Sequence, residues 1–306
     1  RGLHKINDMV VYCEVDSVLP ESPEFEFLRP RNFRIKTVKL RGQISQGIVF
    51  PLSILEGRKY NTDTRENSTY TFILGDDVTE LLGITKYEPL MPACLSGLVK
   101  GNFPSFIPKT DEERIQNIPY ILDTFRGHQF YLSEKLDGTS MTCYYNGHEF
   151  GVCSRNLDLK ETEGNIHWKV ARQLELQRIL GSYNDNLAIQ GELIGEGIQG
   201  NKYKLRGHEF RIFNIFNIST GKFAEYEEIL QFIQNNKLQS VPMLGSNFIL
   251  NHNIDELLSM ADGSSMINMG TLREGLVVRA IPEAYHIPLG RVSFKVISNK
   301  YLLKQG

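Results

Sequence analysis

Apolar and polar positions alternate in short runs over the first ninety or so residues, and over longer runs after that. Val10-Val11-Tyr12-Cys13-Glu14-Val15, Phe33 to Leu40, part of Ile44 to Leu55, and Thr69 to Leu74 read as strands broken by turn residues. Asp76 to Leu82 reads as a short helix with an acidic start. From Pro89 to Pro108 four prolines (Pro89, Pro92, Pro104, Pro108) and two glycines mark a connector. Thr110 with Glu113 then fits a capping box opening a short helix. Beyond it, strands are expected at Gln129–Lys135, Thr139–Tyr145, Phe150–Ser154, Leu187–Leu193, Glu209–Ile218, Gly275–Ala280 and Val292–Ile297. Helices are expected at Glu163–Leu180, Ala224–Asn235 and Ile254–Met260. Strands without a regular βα repeat predict an α+β fold with largely antiparallel sheets flanked by helices. The many short strands at the front predict a small barrel, the OB-fold first among candidates. The expected division is 1–105 for this module and its connector and 106–306 for the second domain.

Composition narrows little. The 306 residues suffice for two domains, and the net charge of −2 announces no polyanion partner for the chain as a whole. Locally, Arg29, Arg31, Arg34, Lys36, Lys39 and Arg41 crowd into thirteen residues containing no acid. This is either a solvated strand face or a phosphate-contacting surface interleaved with Phe33. The four cysteines (Cys13, Cys94, Cys143, Cys153) form no C-x-x-C pair, so free thiols in a reducing, intracellular and by preference cytoplasmic setting are expected. The histidines show no metal-ligand spacing. No apolar run reaches the ~18 residues that span a bilayer, so no membrane partner is expected, and the balanced two-domain layout suits a monomer.

Chemistry concentrates at Tyr131-Leu132-Ser133-Glu134-Lys135-Leu136-Asp137-Gly138-Thr139-Ser140. A lysine at a strand end is followed at once by an acid and a glycine that turn the chain. Such a lysine becomes a nucleophile where its amine loses its proton near neutral pH. K-x-D-G alone would arise in roughly one chain in twenty of this length. Its weight comes from the downstream elements and their order: Ser154-Arg155-Asn156, Gln190-Gly191-Glu192-Leu193, Phe210-Arg211-Ile212-Phe213-Asn214-Ile215, Glu274-Gly275-Leu276-Val277-Val278-Arg279, and Ser293-Phe294-Lys295-Val296-Ile297.

This ordered set resembles the covalent nucleotidyltransferases, the ATP-dependent ligases and mRNA capping enzymes. Glu134 to Thr139 and Gly191 to Gly195 are most similar to RNA ligases. The extra module before the lysine, with Arg41 to Gly47 and Phe103 to Arg114, resembles the fifth RNA ligase family, in which an OB domain precedes an adenylyltransferase (ATP-grasp-like ligase) domain. The resemblance implies that Lys135 takes AMP from ATP, that Lys295 contacts the phosphate and lowers the Lys135 pKa, and that Phe213 stacks on adenine with Glu134 at its edge. It further implies Arg155 at the ribose or the second substrate's phosphate, and Glu192 and Glu274 near a magnesium or manganese ion, through water. The implied partner is RNA or an RNA-containing nicked duplex whose 3′-hydroxyl and 5′-phosphate ends are joined. A DNA ligase and a GTP-using capping enzyme are the alternatives within the superfamily. An RNA-binding protein with a degenerate pocket is the alternative outside it. Two positions depart from the pattern. Asn214 stands where the family has aspartate, and Ile297 where it often has a second lysine, for which Lys300 or Arg291 are the substitutes at hand.

Overall fold

The computed structural model describes residues 4–5, 7–40, 43–58, 72–87, 97–287 and 289–305. Arg41, Cys94, Pro89, Pro92 and the Thr69–Thr71 part of the expected fourth strand lie outside them. The chain forms two compact units, Arg1–Met91 with Leu303–Gly306, and Pro92–Leu302. Much of the expected connector is built into the second unit, because Val99–Asn102 pairs with Leu157–Leu159 at the edge of its larger sheet.

In the first unit Val10–Glu14 runs antiparallel to Gly47–Pro51, and Val11 and Cys13 point into the core while Tyr12 and Glu14 point out. Val38–Leu40 pairs with Gln43–Ser45, and Ser17–Val18 with Thr85–Lys86. The expected Phe33–Leu40 strand starts only at Val38, because Asn32 and Phe33 adopt left-handed backbone (φ 50° and 57°) where a 3-10 helix, Pro23–Arg31, ends. That helix carries Phe25 and Leu28 into the same core as Phe33, Ile35 and Leu82. In place of the expected Asp76–Leu82 helix there is a run of turns, including one Leu82 N–H to Val78 C=O bond.

The second unit holds two sheets. The larger orders Lys222–Phe223, His208–Asn217, Leu187–Gly195, Thr139–Tyr145, Phe150–Cys153, Leu157–Leu159 and Val99–Asn102, with Gln239–Ser240 added in parallel to His208–Asn217. The smaller orders Met243–Ile249, Gln129–Lys135, Gly275–Ala280, Ser293–Ile297 and Glu113–Arg114, the last pair parallel. One face of the larger sheet buries Met141, Cys143, Ile189, Leu193, Phe210 and Ile212 against three helices, Ile166–Gln173, Leu176–Gly181 and Tyr226–Asn235. The smaller sheet buries Phe130, Leu132, Leu276, Val278, Phe294 and Val296 against Ile254–Ala261.

The single helix expected over Glu163–Leu180 is two helices, broken at Glu175, whose φ is 53°. Trp168, Val170, Ala171, Leu176, Ile179 and Leu180 are all buried. At 100° per residue, one continuous helix would spread them around its whole circumference; the break gives each short helix its own inward stripe. The capping box at Thr110 forms no helix either. Glu112 bonds Arg279, and Glu113–Arg114 joins the sheet beside Ser293–Ile297. Among the described residues no helix is long and apolar enough to cross a membrane.

Candidate active site

Leu136–Gly138 carries the chain out of the smaller sheet, which ends at Lys135, and into the larger one, which begins at Thr139. The turn has no room for a side chain at Gly138. A Cβ there would stand 2.4 Å from the Leu193 carbonyl oxygen and 2.9 Å from Cγ of Glu192. The same closeness lets the Gly138 N–H donate to Glu192 Oε1 at 3.1 Å.

The acids beside Lys135 come from both sheets, Glu274 from the start of the neighbouring Gly275–Ala280 strand and Glu192 from Leu187–Gly195 of the larger sheet. Gly275 lies opposite Lys135, and a Cβ on it would meet the Val296 carbonyl at 2.1 Å, so only glycine lets its strand close on Ser293–Ile297 on the other side. Glu274, one residue earlier, thereby reaches the lysine, and Nζ donates to its Oε1 at 2.8 Å. The pair is partly desolvated, with 27 % of the Lys135 side chain and 16 % of the Glu274 side chain exposed. Burial acts against the ammonium, but Glu274 and then Glu192 outweigh it and hold the Lys135 pKa above the usual lysine value. The expected depression is therefore not a property of the ligand-free site. Burial, with Lys135 opposing it and Glu274 adding to it, pushes the Glu192 carboxyl up to about 8.

Glu134 is 1 % exposed. Its Oε2 accepts from the Met266 N–H at 2.8 Å, while Oε1 is buried with no partner among the described residues. Burial raises its pKa against bonds from Ser265 and Met266. Phe213 sits at a bulge: Gln190 faces Asn214 but Gly191 faces Ile212. The extra residue resets the alternation. Simple period two puts Phe210 and Phe216 together on the face opposite Phe213. The structure buries Phe210 with the helices, and Phe216 on the other side with Tyr144 and Ala188. Phe213 packs with Leu136, Ile194, Tyr203, Val241 and Ile267 under the Lys135 turn, and the Arg279 guanidinium carbon lies 5.4 Å from its ring centroid. Asn214 accepts from Arg291 (2.8 Å), a role open to an amide or a carboxylate, and donates to Gln190 Oε1 (3.2 Å), which a carboxylate could not do.

Lys295 is half-buried in Ser293–Ile297, registered with Val277 on one side and Arg114 on the other. Arg114 closes the Phe103–Arg114 stretch, and nothing in the sequence assigns it a role of its own. It puts a second positive side chain in register with Lys295, whereas Ile297 is buried and faces Gly275. The substitutes considered are engaged elsewhere: Arg291 with Glu283 and Asn214, Lys300 with Asp262 at 3.2 Å. Arg155, in the turn between Phe150–Cys153 and Leu157–Leu159, donates to Asp111 at 2.7 Å and is half exposed. Arg279, likewise not singled out by the sequence, is 2 % exposed and donates to Glu112 at 2.9 Å.

In the first unit, Arg31 and Lys36 are exposed and Lys39 lies in the Val38–Leu40 strand. Arg29 and Arg34 are not simple basic surface. Arg29 pairs with Glu26 and Glu21, and Arg34 pairs with Asp16 at 2.7 Å and stacks 3.5 Å from the Tyr87 ring centroid. The acids lie just before the basic run in sequence, which a thirteen-residue window does not include.

No trio of His, Cys, Asp or Glu among the described residues is arranged to chelate a metal directly. Two carboxylates bracketing the lysine are instead a hard-oxygen set suited to a hydrated divalent ion. A cavity of about 480 Å³, lined in part by Leu205, Arg211, Pro242, Met266 and Ile267, adjoins the Phe213 cluster.

A strand-end lysine at the turn between two sheets, with an acid from each sheet and an aromatic nearby, is the arrangement expected of a nucleotidyltransferase-type ligase. Residues 128–297 match the RNA ligase family model, and residues 1–52 an OB-fold domain model. The chain belongs to the RNA ligase family, with an N-terminal OB-fold domain and an α+β ligase fold. Among solved structures it is similar to an apo Naegleria gruberi RNA ligase mutant, at 37 % identity and a TM-score of 0.86, over 100 % of this chain and 89 % of that one. It is similar to N. gruberi RNA ligase with PPi at 39 % identity and a TM-score of 0.83, over 99 % and 88 %. A lysine mutant of that ligase with ATP and Mn matches at 37 % and 0.85, over 100 % and 89 %. No curated protein is matched by sequence.

Proposed function

We propose that the protein is an ATP-dependent RNA ligase in which Lys135 takes AMP from ATP, passes it to a 5′-phosphate end, and leaves that end open to attack by a 3′-hydroxyl. The observation that carries this reading is the Lys135–Glu274 contact at 2.8 Å with Glu192 beside it, at the turn between two sheets. The similar ligases solved with ATP, AMP and PPi support ATP as the nucleotide.

Lys135 attacks the α-phosphorus, forming a P–N bond as pyrophosphate leaves, and the amine's proton goes to solvent or a neighbouring acid. Lys295 and Arg114, side by side, are suited to the phosphate oxygens, where charge grows during displacement. Phe213 offers its ring to adenine, and the unpartnered Glu134 Oε1 is an acceptor for a donor on the base. Glu192 and Glu274 would hold the divalent ion, manganese or magnesium, through water. When bound, that ion supplies positive charge that offsets both the acids and the phosphates. With their charge offset, the acids no longer favour the protonated form of Lys135.

Arg155 and the exposed Arg31 and Lys36 are assigned in this reading to contacts with RNA or an RNA-containing nicked duplex. The protein acts as a monomer. The buried free thiols of Cys13, Cys143 and Cys153 support an intracellular, reducing setting. The assembled acids and lysine count against a degenerate RNA-binding relic, since desolvated charges are costly to keep without use.

The test is sealing of a nicked duplex bearing RNA at its 3′-hydroxyl end, with ATP or GTP and Mn²⁺ or Mg²⁺. ATP-dependent joining is expected. Sealing with GTP alone, or of all-DNA nicks only, would contradict the proposal.

A further inference from the structure

Asp137 is two residues from the lysine, and its surroundings go beyond what a turn needs. Its N–H donates to Tyr203 Oη at 2.7 Å. Its Oδ2 accepts from both Lys202 Nζ and Tyr301 Oη, and Lys202 Nζ also donates to Tyr301 Oη at 2.7 Å and lies 4.9 Å from that ring's centroid. Oδ1 has no partner among the described residues. The Lys202–Asp137 pair is largely out of water, with 23 % and 16 % of the side chains exposed.

Lys202-Tyr203 is itself tied down. The Lys202 carbonyl accepts from Thr271 Oγ1 at 2.8 Å, and the Tyr203 carbonyl accepts from Asn268 at 3.2 Å. Both partners lie on the loop that runs into Glu274. Tyr301 sits in the helix Asn299–Gln305, its N–H donating to Ser298 Oγ at 3.1 Å, just after the Lys295 strand. Two adjacent residues thus connect the turn after Lys135, the approach to Glu274 and the segment after Lys295. A desolvated ion pair adds little net stability over an apolar pair of the same shape, but it fixes geometry.

We infer that Lys202, with Tyr203 and Tyr301, is a positioning clamp that holds Asp137 and so sets the aim of the Lys135 amine during transfer of the nucleotidyl group. The inference rests on the reading of Lys135 as the AMP acceptor. The clamp occupies Asp137 Oδ2 and the backbone N–H. No hydrogen bond or ion pair joins Lys202 to Lys135 or Glu274, and its ion pair is with Asp137, through which it acts.

The test uses the full chain and separates binding from transfer. Affinity is measured with α,β-methylene-ATP, and the rate of self-labelling with α-labelled ATP in a single turnover. Lys202→Met should slow labelling about 10- to 100-fold, the loss expected for a misplaced reacting group, while analogue affinity changes less than about twofold. Lys202→Arg should recover most of the rate. Tyr301→Phe, which deletes one hydroxyl and keeps the ring, should slow labelling by a smaller factor and stands in if Lys202→Met fails to fold. Labelling at wild-type rate in Lys202→Met or Tyr301→Phe would overturn the clamp. So would a rate loss matched by an equal loss of analogue affinity and a lowered melting temperature. Wild-type protein that never labels would instead overturn the underlying reading of Lys135.

Discussion

Glu274 and Glu192 flank Lys135 and, against its burial, raise its pKa above the usual lysine value. The same crowding makes the glycines here intolerant. At Gly138 the obstacles within 3 Å of a Cβ include backbone, the Leu193 carbonyl, which cannot swing aside. Gly138→Ala is therefore expected to cut self-labelling by about 100-fold or more through displacement of the turn. A single-turnover labelling assay beside a melting curve checks this, and near-normal labelling would show that the turn tolerates the shift. Phe213→Ala should remove about 1–3 kcal/mol of base stacking, raising KM for ATP by about 5- to 150-fold. Sealing of RNA that already carries a 5′-adenylate should be nearly unaffected. Equal losses in both assays would mean that Phe213 serves the core and not the base. Lys135, Glu192, Glu274 and Phe213 were legible in sequence because each sits in a short motif. Arg114 and Arg279 lie within stretches that carry the resemblance, but nothing in the sequence sets them apart from their neighbours, and Lys202 comes to the site from a loop outside the motifs.

Among elements, strands bounded by motif residues were read closely. Gln129–Lys135, Thr139–Tyr145 and Gly275–Ala280 fall where alternation and turns put them. The misses share a cause, which is tertiary pairing overriding a local signal. Met243–Ile249 is a partner of the lysine strand that its mixed, half-buried pattern concealed. The bulge at Phe213 depends on how Leu187–Gly195 pairs and is invisible to period-two counting. The break at Glu175 reflects competition for one sheet face. A non-glycine residue in left-handed backbone is strained by about 1–2 kcal/mol, and glycine gives back part of that in chain entropy. Glu175→Gly should thus raise stability by up to about 1 kcal/mol with sealing unchanged. Chemical denaturation checks it, and destabilisation would mean that the Glu175–Arg178 ion pair outweighs the strain.

For the molecule as a whole, pH and salt report on separate features. Burial holds the His167 ring down to about 4, against a hydrogen bond with the Ser140 backbone. Its pKa is lower folded than unfolded, so its contribution is complete above about 6.5 and is lost as pH falls from there toward about 4. Melting temperatures across that window should fall less steeply for His167→Gln than for wild type, and parallel curves would contradict the assignment. Arg31→Ala with Lys36→Ala should weaken RNA binding and flatten its salt dependence. Arg29→Ala or Arg34→Ala should do so less, because nearby acids already offset them; the reverse order would argue against RNA on this face. The central claim is that Lys135 carries AMP. Incubation with ATP and Mn²⁺, followed by proteolysis and mass mapping of the modified peptide, should find AMP on Lys135 alone and none on the Lys135→Ala protein. AMP on another residue, or labelling that survives the substitution, would contradict it.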